Sequence, residues 1–316
     1  MSSNASDFPD FIQSRDVAGL KVFLTNEFHY IGNTHRERNN EALFDACDDG
    51  SEEICEVLIS FGADVNYVID QRTPLYRACY NAHSSCVVLV MAHGADTNSC
   101  NFVDGRTPLM ATADVDNTPV GLTLDQFIDN RCRCLHSLLD AGAAIDQTDY
   151  EGWTALMYAT WNFRLTEILV KAGADVNILN QNRNSCLHFA CEGNYSNIAV
   201  MLVEHGADND AVNEDGGTPL HYACSYLNSA VVESLLHHCA DIDIVTNNGY
   251  TALQVALYEP ASPNRVAVLQ LMATCAQTRL EESSADWIRM ARNERSRPQI
   301  PIGSTGISRQ RRRRNI

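Results

Sequence analysis

No apolar run in this 316-residue chain approaches the roughly 18 residues that a membrane helix requires, which argues for a soluble protein without membrane contacts. Residues Met1 to Asp10 lack the basic and apolar regions of a signal peptide, so secretion is not expected. The sequence has no Gly-rich phosphate loop, no Gly-x-Ser-x-Gly elbow and no His-Glu-x-x-His pair, and neither enzyme activity nor a cofactor is expected. Its twelve cysteines include no Cys-x-x-Cys pair. The nearest approach to a metal motif is Cys132-Arg133-Cys134-Leu135-His136, and on a helix Cys132 and Cys134 point to different sides, so no metal is expected. Basic residues are scarce over most of the length: before residue 288 there are 14 against 39 acidic ones, a net charge near −25. Such a body repels nucleic acid and favours a protein partner, with basic segments preferred.

What is present is a repeat. Gly-Ala-Asp stands at 62–64, 94–96, 173–175 and 206–208, with variants Gly142-Ala143-Ala144 and Cys239-Ala240-Asp241, at spacings of 32, 48, 31, 33 and 33 residues. A second signature keeps step about ten residues later: Thr73-Pro74-Leu75-Tyr76, Thr107-Pro108-Leu109-Met110, Thr154-Ala155-Leu156-Met157, Ser185-Cys186-Leu187-His188, Thr218-Pro219-Leu220-His221 and Thr251-Ala252-Leu253-Gln254. A period near 33 residues is the mark of a helical repeat array, which buries its core only between stacked neighbours and presents one long surface for recognition.

The paired signatures resemble the ankyrin repeat over roughly residues 39 to 280, which implies an all-α solenoid of antiparallel helix pairs joined by hairpin loops. Physical chemistry supports the pattern. Thr caps the first helix and Pro takes the position where no amide donor is needed. Gly after the second helix supplies a left-handed residue, and Asp and Asn open the hairpin. Cys47, Cys79, Cys191 and Cys224 all follow an Ala at one repeat position, and Cys55, Cys86 and Cys134 fall among apolar positions of second helices. Register makes these small core residues, and so many free thiols imply a reducing compartment, cytoplasm or nucleus. His188 and His221 fall where the resemblance implies a histidine that bonds backbone and stiffens the hairpin.

The expected organisation is an N-terminal cap or degenerate repeat at 1–38, seven repeats at 39–280, a helix at 281–294 and a disordered basic tail at 295–316. The tail ends in Arg309 and Arg311, Arg312, Arg313 and Arg314, a candidate nuclear localisation signal. One unit breaks the period: 35 residues separate Thr107 from Gly142 where neighbouring units use 21, placing an insert near 114–128. Within it, Thr123-Leu124-Asp125-Gln126 reads as a capping box that starts a lengthened second helix.

The resemblance places recognition on the hairpin tips and the exposed faces of first helices. In the unit after the insert these positions are Tyr150, Glu151, Trp153, Trp161 and Asn162, and neighbouring units add Tyr80, Arg106, Tyr226 and Tyr250, then Arg72, Asn81, Asp114, Asn184, Glu192 and Tyr258. Exposed aromatics there would anchor a partner of an otherwise monomeric chain. Asn66 and Asn177, each with a leucine upstream (Leu58, Leu169), resemble the site of an asparaginyl hydroxylase. The run Thr73 to Cys79 followed by Cys86-Val87 is similar to repeats of ankyrin-and-SOCS-box proteins, which implies, as an alternative to a scaffold, a substrate receptor of a cullin-RING ubiquitin ligase bound to elongin B and C. That reading requires a C-terminal box, for which the chain offers only Leu271-x-x-x-Cys275 and Ile300-Pro301-Ile302.

Overall fold

Thr73 and Thr107 sit in extended backbone and accept from the amides of Tyr76 and Met110 at 3.2 and 3.3 Å, with Pro74 and Pro108 opening each helix behind them. Thr154, Ser185 and Thr251 repeat the cap. These short polar residues fix where each first helix begins, and so fix the register of the stack. The computed structural model describes residues 7–27, 33–114 and 123–279. The expected helix at 281–294, the tail with Arg309 and Arg311–Arg314, and insert residues 115–122 lie outside the described residues.

The chain divides into two compact units, residues 1–181 and 182–316. The first holds α1 (Asp7–Ser14), α2 (Val17–Glu27), α3 (Asn33–Asp49), α4 (Glu52–Ser60), α5 (Pro74–Tyr80), α6 (Ser84–Ala92), α7 (Pro108–Ala113), α8 (Leu124–Asp140), α9 (Ala155–Ala159) and α10 (Phe163–Lys171). Odd-numbered helices pack on odd-numbered neighbours and even on even, giving two layers of stacked helices. The second unit, α11 (Cys186–Glu192), α12 (Ser196–Glu204), α13 (Pro219–Ser225), α14 (Ser229–His237), α15 (Ala252–Tyr258) and α16 (Pro263–Arg279), packs in the same two-layer manner. Only isolated bridges, Ile69 with Arg72 and Val245 with Thr251, interrupt the all-α content of the described residues.

The core lies between the layers. Leu75, Leu109, Leu156, Leu187, Leu220 and Leu253, the third residue of each signature, are all buried, the first five almost completely. Cys47, Cys79, Cys191 and Cys224 are buried beside them, with their thiols pushed up by burial at Cys79, Cys191 and Cys224. At the hairpins an Asn or Asp of one repeat caps the next. Asn40 Oδ1 accepts from the Asp64 amide at 2.7 Å, Asn66 from Asp96 at 2.8 Å, Asn98 from Ala144 at 2.8 Å, Asp146 from Asp175 at 2.9 Å and, in the second unit, Asp210 from Asp241 at 2.7 Å. Position 239 shows what the repeat requires, because Cys239 stands where other repeats carry Gly and still adopts φ +64°.

Candidate recognition surface

In the first unit the surface is organised around Asp149. Its Oδ1 accepts from the amides of Glu151 and Trp153 at 2.9 and 2.8 Å, shaping the hairpin, while Oδ2 accepts from the Tyr158 hydroxyl at 2.6 Å. Trp153 leans on the Tyr158 ring with centroids 5.3 Å apart. The Tyr158 ring also carries the Arg106 guanidinium at 4.3 Å, and Arg106 Nη1 donates to Asp114 Oδ2 at 2.7 Å. Burial raises the Tyr158 pKa, so this hydroxyl stays a donor to Asp149. Unit two repeats the device with an amide: Asn213 Oδ1 accepts from the amides of Asp215 and Gly217, and its Nδ2 donates to the Tyr222 hydroxyl at 2.8 Å.

This network corrects one expectation. Arg106, assigned to partner binding, is only 3 % exposed, because Asp114, Asp104 and the Tyr158 ring enclose its guanidinium. The other assigned residues of the first unit vary in access. Tyr150 is 55 % and Trp161 40 % exposed, and Glu151 is exposed as well. Trp153 is half-buried against Tyr158, and Tyr80 half-buried and stacked on Tyr76 at 6.5 Å. Asn162 is committed to capping α10, accepting from the amides of Arg164 and Leu165. In the second unit Tyr226 and Tyr250 are half-buried; Tyr226 donates to Glu192 Oε1 at 3.3 Å, and Tyr250 meets Tyr258 edge to face at 5.6 Å. Asn66 is exposed, with its Nδ2 bonded to the Gly94 carbonyl and its Oδ1 to the Asp96 amide; Asn177 is exposed at the corresponding turn.

Two features escaped the sequence reading. Phe102 and Val103 stand 60 % and 63 % exposed at the hairpin before α7, and the Tyr150 amide of the next hairpin donates to the Asp104 carbonyl at 2.9 Å. Gly105 admits Tyr150 there, since a Cβ would lie 2.6 Å from its ring. Two adjacent apolar residues inside a turn sequence were the available signal. The second feature is Arg131, fully buried in the lengthened α8. Its guanidinium donates to the carbonyls of Ala111, Thr112 and Tyr80 at 2.9, 2.5 and 3.1 Å and covers the Phe127 ring at 4.4 Å. Burial draws its pKa down to about 10, still well above neutrality, so the charge persists. An arginine in line with Phe127, Leu135 and Leu138 on an apolar stripe was the clue.

His188 and His221 bond backbone. His188 Nε2 meets the Gly217 carbonyl at 3.2 Å and His221 Nε2 the Tyr250 carbonyl at 3.0 Å, while their Nδ1 atoms accept from the amides of Ser185 and Thr218. Burial lowers both pKa values, to about 4 for His188. Among the described residues no cluster of three or more His, Cys, Asp or Glu side chains could hold a metal ion, and no helix is long and apolar enough to cross a membrane.

A family model of ankyrin repeats in three copies matches overlapping segments 13–101, 43–124, 87–180, 124–213, 162–246 and 187–279. Ankyrin repeat and SOCS box protein 6 of Homo sapiens is 27 % identical over 186 residues, covering 54 % of this chain and 40 % of that protein. Ankyrin repeat and SOCS box protein 11 of Danio rerio is 38 % identical over 73 residues, covering 23 % of this chain and 25 % of that protein. The matched region thus spans less than half the length of these relatives. Among solved structures, the human ASB11 ankyrin repeat domain superposes with a TM-score of 0.59 at 24 % identity, covering 72 % of this chain and 96 % of that one, a likeness of fold.

Proposed function

Because the chain belongs to the ankyrin repeat family, whose repeats are protein-interaction modules, we propose that it is a non-catalytic scaffold or regulatory adaptor that recognises a protein through its first-helix and hairpin surface. The observation that carries this reading is the exposure of large apolar side chains at hairpin tips and helix ends on the recognition side of the repeats, Phe102, Val103, Tyr150 and Trp161. Exposed apolar residues cost solubility, and tyrosine and tryptophan are among the types in which interface energy concentrates. The test is affinity purification with mass spectrometry from cells, comparing the intact chain with a Trp153→Ala/Trp161→Ala variant shown by circular dichroism to be folded. Partners lost in the variant support the reading; an unchanged partner set sinks the assignment of these tryptophans.

A second reading, substrate recognition for a cullin-RING ubiquitin ligase, is favoured by the SOCS-box names of the relatives. Leu271 and Cys275 lie in α16, which packs on α14 and α15 as the second helix of the last repeat, so that motif has a structural role already. Co-purification of elongin B and C with the intact chain separates the readings, and their absence under mild lysis counts against the ligase. Free thiols throughout the core favour a cytoplasmic or nuclear location. In a nuclear regulatory protein, the third reading, the arginines at 309 and 311–314 would direct import. Hydroxylation of Asn66 and Asn177 belongs to the same set of proposals and is read by peptide mass spectrometry.

A further inference from the structure

From residue 184 to residue 264 the chain has ten acidic residues and no Lys or Arg. Three consecutive first helices of the second unit, α11, α13 and α15, end side by side in this stretch. Glu192 closes α11 and Glu259 follows α15; the Tyr226 hydroxyl donates to Glu192 Oε1 at 3.3 Å and the Ser225 hydroxyl to Glu259 Oε1 at 3.4 Å. Tyr258, 48 % exposed, stands beside Glu259 in sequence with its ring held edge to face by Tyr250 at 5.6 Å.

Glu192 is in an unbalanced state. Burial raises its pKa, and a hydroxyl from Tyr226 is the sole opposing influence, with no cation contributing. A carboxylate taken from water without a cationic partner carries a desolvation cost that an arriving cation relieves. The first unit shows what chemistry suits such helix ends: there the carbonyls that close α5 and α7, at Tyr80, Ala111 and Thr112, are met by the chain's own guanidinium, Arg131. Helix C-termini favour cations, and between residues 184 and 264, where α11, α13 and α15 end, the sequence supplies no Lys or Arg.

We propose that the ends of α11, α13 and α15 form a docking surface for an arginine-bearing segment of a partner protein, with guanidinium groups paired to Glu192 and Glu259 and stacked on Tyr258. Arginine fits better than lysine because its planar fork pairs with a carboxylate while its face lies on an aromatic ring. The inference rests on the protein-recognition reading above and gives it a place and a ligand chemistry.

The test is fluorescence anisotropy of a labelled octapeptide of alternating glycine and arginine against the full chain at physiological salt, with glutamine in place of arginine as the control peptide. Glu192→Gln/Glu259→Gln is expected to weaken binding about tenfold or more, on the scale of a desolvated charge pair. Tyr258→Ser, a surface change that leaves the core intact, is expected to weaken it several-fold. Glu204→Gln/Glu233→Gln removes the same charge from exposed positions on α12 and α14 and is expected to change affinity less than twofold. Equal losses from the two charge pairs would reduce the effect to diffuse acidity and overturn the proposal. Peptide binding that emerges only when Arg309 and Arg311–Arg314 are replaced by serine would make the chain's own arginines the occupant and overturn docking of a partner. No binding to either form, with cellular partners still captured by the intact chain, would overturn this inference and leave the broader reading in place.

Discussion

His188 offers a quantitative test of how the hairpins are held. Its neutral ring accepts at Nδ1 from the Ser185 amide and donates from Nε2 to the Gly217 carbonyl, and burial lowers its pKa from the usual 6.5 to about 4. The unfolded chain therefore binds the proton more readily than the folded one. Stability from this residue is fully present above about pH 6.5 and is lost as pH falls towards 4. Proton linkage with these two values gives a loss of about 2 kcal/mol between pH 7 and pH 5. The substitution His188→Gln keeps the acceptor, as Gln254 does in its own repeat by accepting from the Thr251 amide at 2.9 Å, but forfeits the bond to Gly217. The variant is expected to be about 1 kcal/mol less stable at pH 7. At pH 5 that deficit should vanish or reverse, because glutamine does not titrate. Urea unfolding followed by circular dichroism at both pH values measures the gap between variant and parent, in which the carboxylates and His221 cancel. A gap that stays the same at pH 7 and pH 5 refutes the argument.

Replacing Arg131 by methionine fills most of its volume but strands the carbonyls of Ala111, Thr112 and Tyr80, for an expected loss of about 3 kcal/mol; a shift in thermal midpoint equivalent to less than 1 kcal/mol would contradict the clamp. Cys239→Gly relieves a non-glycine residue at φ +64° on an exposed turn and should raise stability by up to about 1 kcal/mol, while a lowered midpoint would argue against strain there. Asp149→Asn should cost less than about 1 kcal/mol, since Asn213 fills the same role beside Tyr222, whereas Asp149→Ala, which breaks three hydrogen bonds, should cost about 2–3 kcal/mol by denaturant midpoint.

The fold was legible because the periodic residues are the ones the backbone itself demands. Thr at the cap, Pro behind it, Leu facing inward and Gly in left-handed geometry each answer a local requirement, and local requirements are written locally. Even the insert announced its second helix through Thr123 and Gln126, whose reciprocal cap begins α8. The candidate surface was legible only as positions in the repeat. Whether a side chain at such a position faces water depends on partners distant in sequence: Arg106 was taken by Asp114 and Tyr158, Trp153 by Tyr158, and Asn162 by the start of α10. Phe102 and Val103 ran the other way, apolar residues left in water at a turn where Asn101 Oδ1 accepts from the Val103 amide.

Arg131 also bears on how the first unit comes apart. In a linear array, neighbouring repeats hold one another by nearest-neighbour contacts, and the ends fray one repeat at a time. A side chain in α8 that grips its own repeat at Ala111 and Thr112 and reaches the preceding one at Tyr80 ties two steps of that sequence into one. Amide exchange in α5 and α7 should then report a single opening event, with fraying from the N-terminal side halting at residue 74.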